Sequence, residues 1–96
     1  MTTAIALTVL THEGLAFEDQ AVSIVAPGEP GYLGILRNHT PLVTMLRPGT
    51  LSWRRPSGER LMAALGAGLL EVVKNRVTIL TDTAAAPRPA ERKPLE

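Results

Sequence analysis

Few residues of this chain could do chemistry, and their spacing decides which kind. The only two histidines, His12 and His39, stand 27 positions apart. Without a His-x-x-x-His pair, a metal site would need Asp or Glu side chains gathered from separate loops. Cysteine is absent, which excludes a thiol nucleophile, a disulfide framework and a Cys-ligated zinc or iron–sulfur centre. Ser23, Ser52 and Ser57 lie outside any Gly-x-Ser-x-Gly elbow. No Gly-x-x-x-x-Gly-Lys phosphate loop occurs, and Gly66-Ala67-Gly68 lacks the third glycine and helix start of a dinucleotide fingerprint. Close strand packing is the better reading of those glycines. With no nucleophile paired to a base, the expectation is a chain that catalyses nothing, binds no cofactor and holds no metal.

Three polar features remain. His39 sits in Asn38-His39-Thr40-Pro41, a polar loop between apolar runs. It either bonds local backbone or makes a polar contact to a partner. Trp53-Arg54-Arg55 joins an aromatic to two cations but has no further basic neighbours, so a solvated strand end fits better than a nucleic-acid patch. Glu71 interrupts an apolar run and either marks an interface or pairs with Lys74 or Arg76.

The elements that must position these residues read as short strands. The chain has 96 residues, room for one domain with a thin core. Apolar residues make up 45% and charged residues 20%, a globular rather than a disordered balance. Gly and Pro are each present 8 times, which favours turns over long helices. Residues 1–84 carry seven basic and seven acidic side chains, and the net +1 comes from the tail. That is no nucleic-acid binder's field. Met1-Thr2-Thr3 lacks the basic start of a secretory signal, so no export is expected. The apolar stretch Leu61 to Val73 is too short to cross a bilayer, which takes about 20 residues. Gly66 and Gly68 at its centre favour two strands joined by a bend.

Ile5, Leu7 and Val9 alternate with Ala6, Thr8 and Leu10, and Val22 and Ile24 alternate with Ala21, Ser23 and Val25. Pro27-Gly28-Glu29-Pro30-Gly31 and Pro48-Gly49 are turns, Pro56-Ser57-Gly58-Glu59 is a hairpin loop, and Lys74-Asn75-Arg76 is a tight hairpin. Turns this closely spaced predict an all-β sandwich or barrel over residues 1–84. After Ala84 the chain turns Pro-rich and loses apolar periodicity, which predicts a disordered tail over residues 85–96.

The segment from Pro27 to Leu42, PGEPGYLGILRNHTPL, closely resembles the signature of the F-type ATP synthase epsilon subunit. That signature is a turn, a Gly-(Ile/Val)-Leu strand and a Gly-His-x-Pro-Leu loop. Leu46-Arg47-Pro48-Gly49 resembles the family's Leu-Lys-Pro-Gly step, and Gly66 to Val72 its Gly-Gly-Phe-x-Glu-Val strand. Asn75 to Ala84 resembles its closing hairpin strand. The resemblance implies a flattened β-sandwich of about ten short strands, a common all-β architecture. It implies a non-catalytic place in the central rotor stalk, between the gamma subunit and the c-subunit ring. It also implies a peripheral location on the cytoplasmic face of the bacterial inner membrane, with no direct membrane insertion. Carried over position by position, His39, Tyr32 and Glu29 are the ring-contact candidates. Tyr32 stands where the family often has an acid, Asn38 where it has Gly, and Ala67 where it has the first Gly of its pair. Many members continue into a C-terminal helical hairpin that restrains ATP hydrolysis. Pro87, Pro89 and Pro94 are incompatible with it here, which implies a short form. The residues alone leave a second reading open, a stand-alone sandwich binding a ligand such as a nucleotide.

Overall fold

The computed structural model describes residues 4–90. The N-terminal reading on export and the last part of the expected tail, residues 91–96, lie outside the described residues. Every element is a strand: β1 Ile5–Thr11, β2 Gly14–Ala21, β3 Ser23–Pro27, β4 Tyr32–Leu36, β5 Leu42–Leu46, β6 Gly49–Arg54, β7 Arg60–Leu65, β8 Gly68–Val73, β9 Arg76–Thr81 and β10 Arg88–Pro89. They form two five-stranded sheets, ordered β2-β1-β9-β8-β5 (sheet A) and β10-β7-β6-β3-β4 (sheet B). All pairings are antiparallel except β1 with β9.

Alternation of side chains along each strand builds the sandwich. Ile5, Leu7 and Val9 of β1, Leu70 and Val72 of β8, and Val77 and Ile79 of β9 point inward from sheet A and are buried. Ile24, Ile35, Leu51, Trp53, Leu61 and Ala63 answer them from sheet B. Each large side chain so buried contributes ~1.5–3 kcal/mol of transfer free energy.

The turns follow their residue types. Lys74 and Asn75 both take positive φ (48° and 61°), a two-residue hairpin whose twist matches its strands. Gly58 (φ 98°) closes the β6–β7 loop, where Arg55 and Glu59 pair through backbone. At the β7–β8 bend, a Cβ on Gly68 would overlap the Leu80 carbonyl, so only glycine lets β8 start this close to β9. That settles Gly66-Ala67-Gly68 as strand packing.

Two elements differ from the sequence reading. The stretch Gly14–Ala21 is a full strand, although neither alternation nor a turn signal assigns an element there. Its polarity suits its place as an edge strand with one solvated face. A bulge opposite Val9 and Leu10 also interrupts its alternation. The second difference is the tail. Residues 84–90 run along β7: Ala84 bridges Leu65, Arg88 pairs with Met62, Pro89 pairs with Leu61, and the amides of Ala85 and Ala90 donate to Ala64 and Arg60. By alternation from the Ala90 bond, the Arg88–Met62 pair is hydrogen-bonded and Pro89 faces away from β7. Prolines are tolerated at such outward edge positions, where no ladder donor is needed. Thus Pro87 and Pro89 do not disorder this segment; they leave its outer edge poor in donors.

At one corner the sheets are tied by polar contacts. Phe17 of β2 stacks on Trp53 of β6, with centroids 5.5 Å apart. Asp19 Oδ2 accepts from Trp53 Nε1 and Arg55 Nε, each at 2.8 Å, and Arg55 also reaches Glu59 at 2.8 Å. Burial pushes the Asp19 carboxyl up. The bonds from Trp53, Arg55 and the Gln20 amide, with the Arg55 charge, together outweigh it and hold the group below the ordinary carboxylate value.

A depressed carboxylate contributes stability that is complete above its unfolded pKa and is lost as pH falls through its lower folded pKa. Acid unfolding of the parent should therefore steepen below about pH 4. Asp19→Asn should be less stable by about 1–2 kcal/mol at neutral pH and flatter across that acid window, read by urea midpoints. Hydrogen exchange checks the tail: the Met62 amide should be protected in the parent and exchange markedly faster once residues 85–96 are deleted.

Candidate functional site

The inward rows are consumed by the core, so the outward rows show what the molecule offers to others. On sheet A one row is apolar across the whole sheet. Leu15 lies opposite Leu10, Leu10 beside Leu80, Leu80 opposite Leu69, and Leu69 opposite Met45. At ~4.8 Å per strand the row is ~19 Å long. Leu10 is half-buried, while Leu15, Leu80 and Met45 are each more than half exposed. The bulge in β2 makes the row complete. Phe17 and Asp19 face the interior side; without the extra residue at Ala16, Leu15 would face inward with them. The adjacent row runs Glu18, Thr8, Thr78, Glu71, Val43 and is mostly polar. Glu71 stands there, and among the described residues it makes no ion pair with Lys74 or Arg76. Its pairing reading thus gives way to a surface one.

The second feature is the side of the sandwich formed by β4 and β5, the free edges of sheets B and A. A cleft of about 330 Å³ opens there, lined by Pro30, Gly31, Tyr32, Leu33, Leu42 and Thr44. Glu29 and Tyr32 sit at its turn end. The Glu29 amide donates to the Met45 carbonyl at 3.0 Å, which fixes the turn against the end of β5. The Tyr32 hydroxyl accepts from the Thr50 amide at 3.3 Å, and its ring is otherwise exposed. A Cβ on Gly49 would stand 3.0 Å from that hydroxyl and 2.8 Å from Pro27, so glycine there leaves room for the phenol.

His39 lies three residues past the far end of β4, which runs ~13 Å from Tyr32 to Leu36. Its Nδ1 lies 2.6 Å from the Thr40 carbonyl and its amide donates to Leu36 at 3.2 Å. The structure therefore brings Glu29 and Tyr32 together and leaves His39 apart, with all three along the β4–β5 side. The His39 loop is held from a distance. The Asn38 amide donates to Asn75 Oδ1 at 2.7 Å, and Asn75 Nδ2 donates back to Asn38 Oδ1 at 3.2 Å. Both asparagines take positive φ. Sequence reasoning missed this clasp and the apolar row, because both depend on register between strands distant in the chain.

A model of the family described as ATP synthase, Delta/Epsilon chain, beta-sandwich domain matches residues 4–87. The chain belongs to this family. The ATP synthase epsilon chain of Stenotrophomonas maltophilia (strain K279a) is 43% identical over 76 residues, which cover 79% of this chain and 54% of the relative. The chain thus spans about half the length of that curated relative. Among solved structures, a chain of the Euglena gracilis mitochondrial ATP synthase superposes with a TM-score of 0.81 at 24% identity, covering 91% of this chain and 55% of that one. A chain from the Tetrahymena thermophila mitochondrial ATP synthase central stalk and c-ring gives 0.70 at 18%, covering 88% and 68%. At those identities the two structures establish the shared fold. For a member of this family, the extended surfaces just described are the functional features to weigh.

The Asn38–Asn75 clasp can be tested without disturbing the core. Asn75→Gly keeps the positive φ and loses both side-chain bonds, so it should cost about 1 kcal/mol. Asn75→Ala should cost about 1 kcal/mol more, because alanine resists the left-handed region. In both variants the His39 ring resonances should shift and broaden while core signals hold.

Proposed function

We propose that this chain is a non-catalytic rotor subunit of a proton- or sodium-translocating F-type ATP synthase. It links the gamma subunit to the c-subunit ring and helps carry rotation between the ion path and ATP synthesis. The observation that carries this reading is the apolar row across all five strands of sheet A in a chain of the delta/epsilon family. A sandwich whose core is complete gains nothing from Leu15, Leu80 and Met45 in solvent. A protein partner covering them removes apolar area from water, and a row as long as the sheet is wide suits an elongated partner such as gamma. An ordinary specific interface takes ~800 Å² per partner, about an eighth of this chain's 6150 Å².

The β4–β5 side is the proposed ring contact. Glu29, Tyr32 and His39 supply polar groups along it, with exposed Leu36 of β4 between Tyr32 and His39. Because Tyr32 opens β4 and His39 lies beyond its far end, the ring meets the length of β4, ~13 Å, rather than one loop. Such a role needs rigidity, not reactive groups. The proposed location is the cytoplasmic face of a bacterial inner membrane, held there through the complex.

The test adds this chain to an F-type ATP synthase stripped of its own epsilon subunit. Coupled ion pumping should return. Leu69→Ser with Leu80→Ser should fold with a Tm near the parent's, because both residues are outward. It should bind gamma about a hundredfold more weakly, from ~1.5 kcal/mol lost per buried leucine. Tyr32→Ala and His39→Ala should weaken attachment to the ring and spare gamma binding. Unchanged gamma binding by the double variant would remove the apolar row from the interface, and failure to restore pumping would overturn the rotor assignment.

A further inference from the structure

The outward face of sheet B carries a different chemistry from that of sheet A, and neither the core nor the surfaces assigned above account for it. Arg54 of β6 lies directly opposite Arg60 of β7, both outward and exposed. Arg88 of β10 is opposite Met62, so it shares this face and lies diagonal to Arg60. Directly opposed residues stand ~5 Å apart and diagonal ones ~7–8 Å. Three guanidinium groups therefore gather at one end of one face. The other outward positions of β4, β3, β6 and β7 are aromatic, apolar, hydroxyl or glycine residues, with no carboxylate. Glu59, beside the group in the β6–β7 hairpin, is engaged by Arg55, and so is Asp19. Among the described residues none of the three arginines has a salt-bridge partner.

Like charges directly opposite on neighbouring strands are destabilising. The fold supplies the third one at its own expense, since Arg88 reaches the face only because the tail pairs along β7. We infer that Arg54, Arg60 and Arg88 form a docking surface for an acidic helical segment of another protein. Guanidinium forks take carboxylates bidentately. Glutamates three and four apart on a helix are ~5–6 Å from one another, close to the arginine spacing. A single small anion would meet three solvated cations on an open sheet face and gain little from the second and third. Anionic lipid recognition draws on about four to eight clustered cations, more than this face provides. The inference stands apart from the rotor reading, which uses sheet A and the β4–β5 side.

The experiment titrates the full chain with a fluorescent alanine-rich helical peptide bearing glutamates at i, i+4 along one face. The control peptide has the same composition with its glutamates spread around the helix. The one-faced peptide should bind more tightly, and more weakly as salt rises. Arg54→Gln, Arg60→Gln and Arg88→Gln combined should weaken it about tenfold, while Arg37→Gln with Arg47→Gln leaves it unchanged. The triple variant should melt at or above the parent's Tm, because repulsion is relieved; a purely structural role would lower it. Equal binding of the two peptides, equal binding by the triple variant, or a drop in its Tm would overturn the inference. So would binding to phosphatidylserine vesicles without binding to the peptide.

Discussion

Each strand of a two-layer sandwich must hand every second residue to the layer between the sheets, and everything else in this molecule is arranged around that demand. The chain meets it with aliphatic residues almost alone: Trp53 is the one aromatic among the buried hydrophobics, and Ile, Leu, Val and Ala fill the rest. A core built this way is close-packed and stiff. It also frees the outward residues from any duty to the fold. Their chemistry can change face by face at little cost, which is how one small domain comes to show a leucine row on one sheet and an arginine group on the other.

Sheet edges are where such a sandwich is vulnerable, because an unpaired edge is a template for another chain. The edges here are treated differently. β7 is covered by the chain's own residues 84–90, whose prolines fall on the outward side and end the ladder there. The β2 edge carries Glu18 and Gln20 outward and ties Asp19 to Trp53 and Arg55 at the corner. β4 and β5 are left as open edges side by side, with a cleft between them and the Glu29–Gly31 turn beside it. Leaving that side open while closing β7 is what a contact surface would require.

Much of the fold was legible in the residues. The turn clusters at Pro27–Gly31, Pro48-Gly49, Pro56–Glu59 and Lys74-Asn75 fall where the chain reverses, and alternation marks β1 and β3 plainly. What escaped had a physical cause in each case. β2 is an edge strand whose alternation is broken at Ala16, so neither composition nor period identifies it. Residues 84–90 carry a loop's composition because an outermost edge strand needs few donors and little hydrophobicity. The candidate site was legible only in part. Glu29, Tyr32 and His39 could be named from motif position, but their separation along β4 is set by the strand, and the His39 loop is held through Asn38 by Asn75, 37 positions further along the chain. The apolar row is invisible in sequence, since its five members come from five strands brought into register only by folding.

Register also explains why the row and the core can coexist. Leu10, Leu69 and Leu80 differ from their buried neighbours Val9, Leu70 and Ile79 in nothing that hydrophobicity could detect. A slip of one residue in β1, β8 or β9 would exchange the two sets and still bury leucine. It would also bury Thr8, Glu71 or Thr78 of the neighbouring polar row, and the turns add a second bar. The Lys74-Asn75 hairpin fixes β8 against β9, and Gly68 admits Leu80 only in this alignment. The parallel pairing of β1 with β9 then carries that register to β2. The surface apolar row is therefore as firmly specified as the interior, and two short features, a positive-φ pair and one glycine, reinforce both.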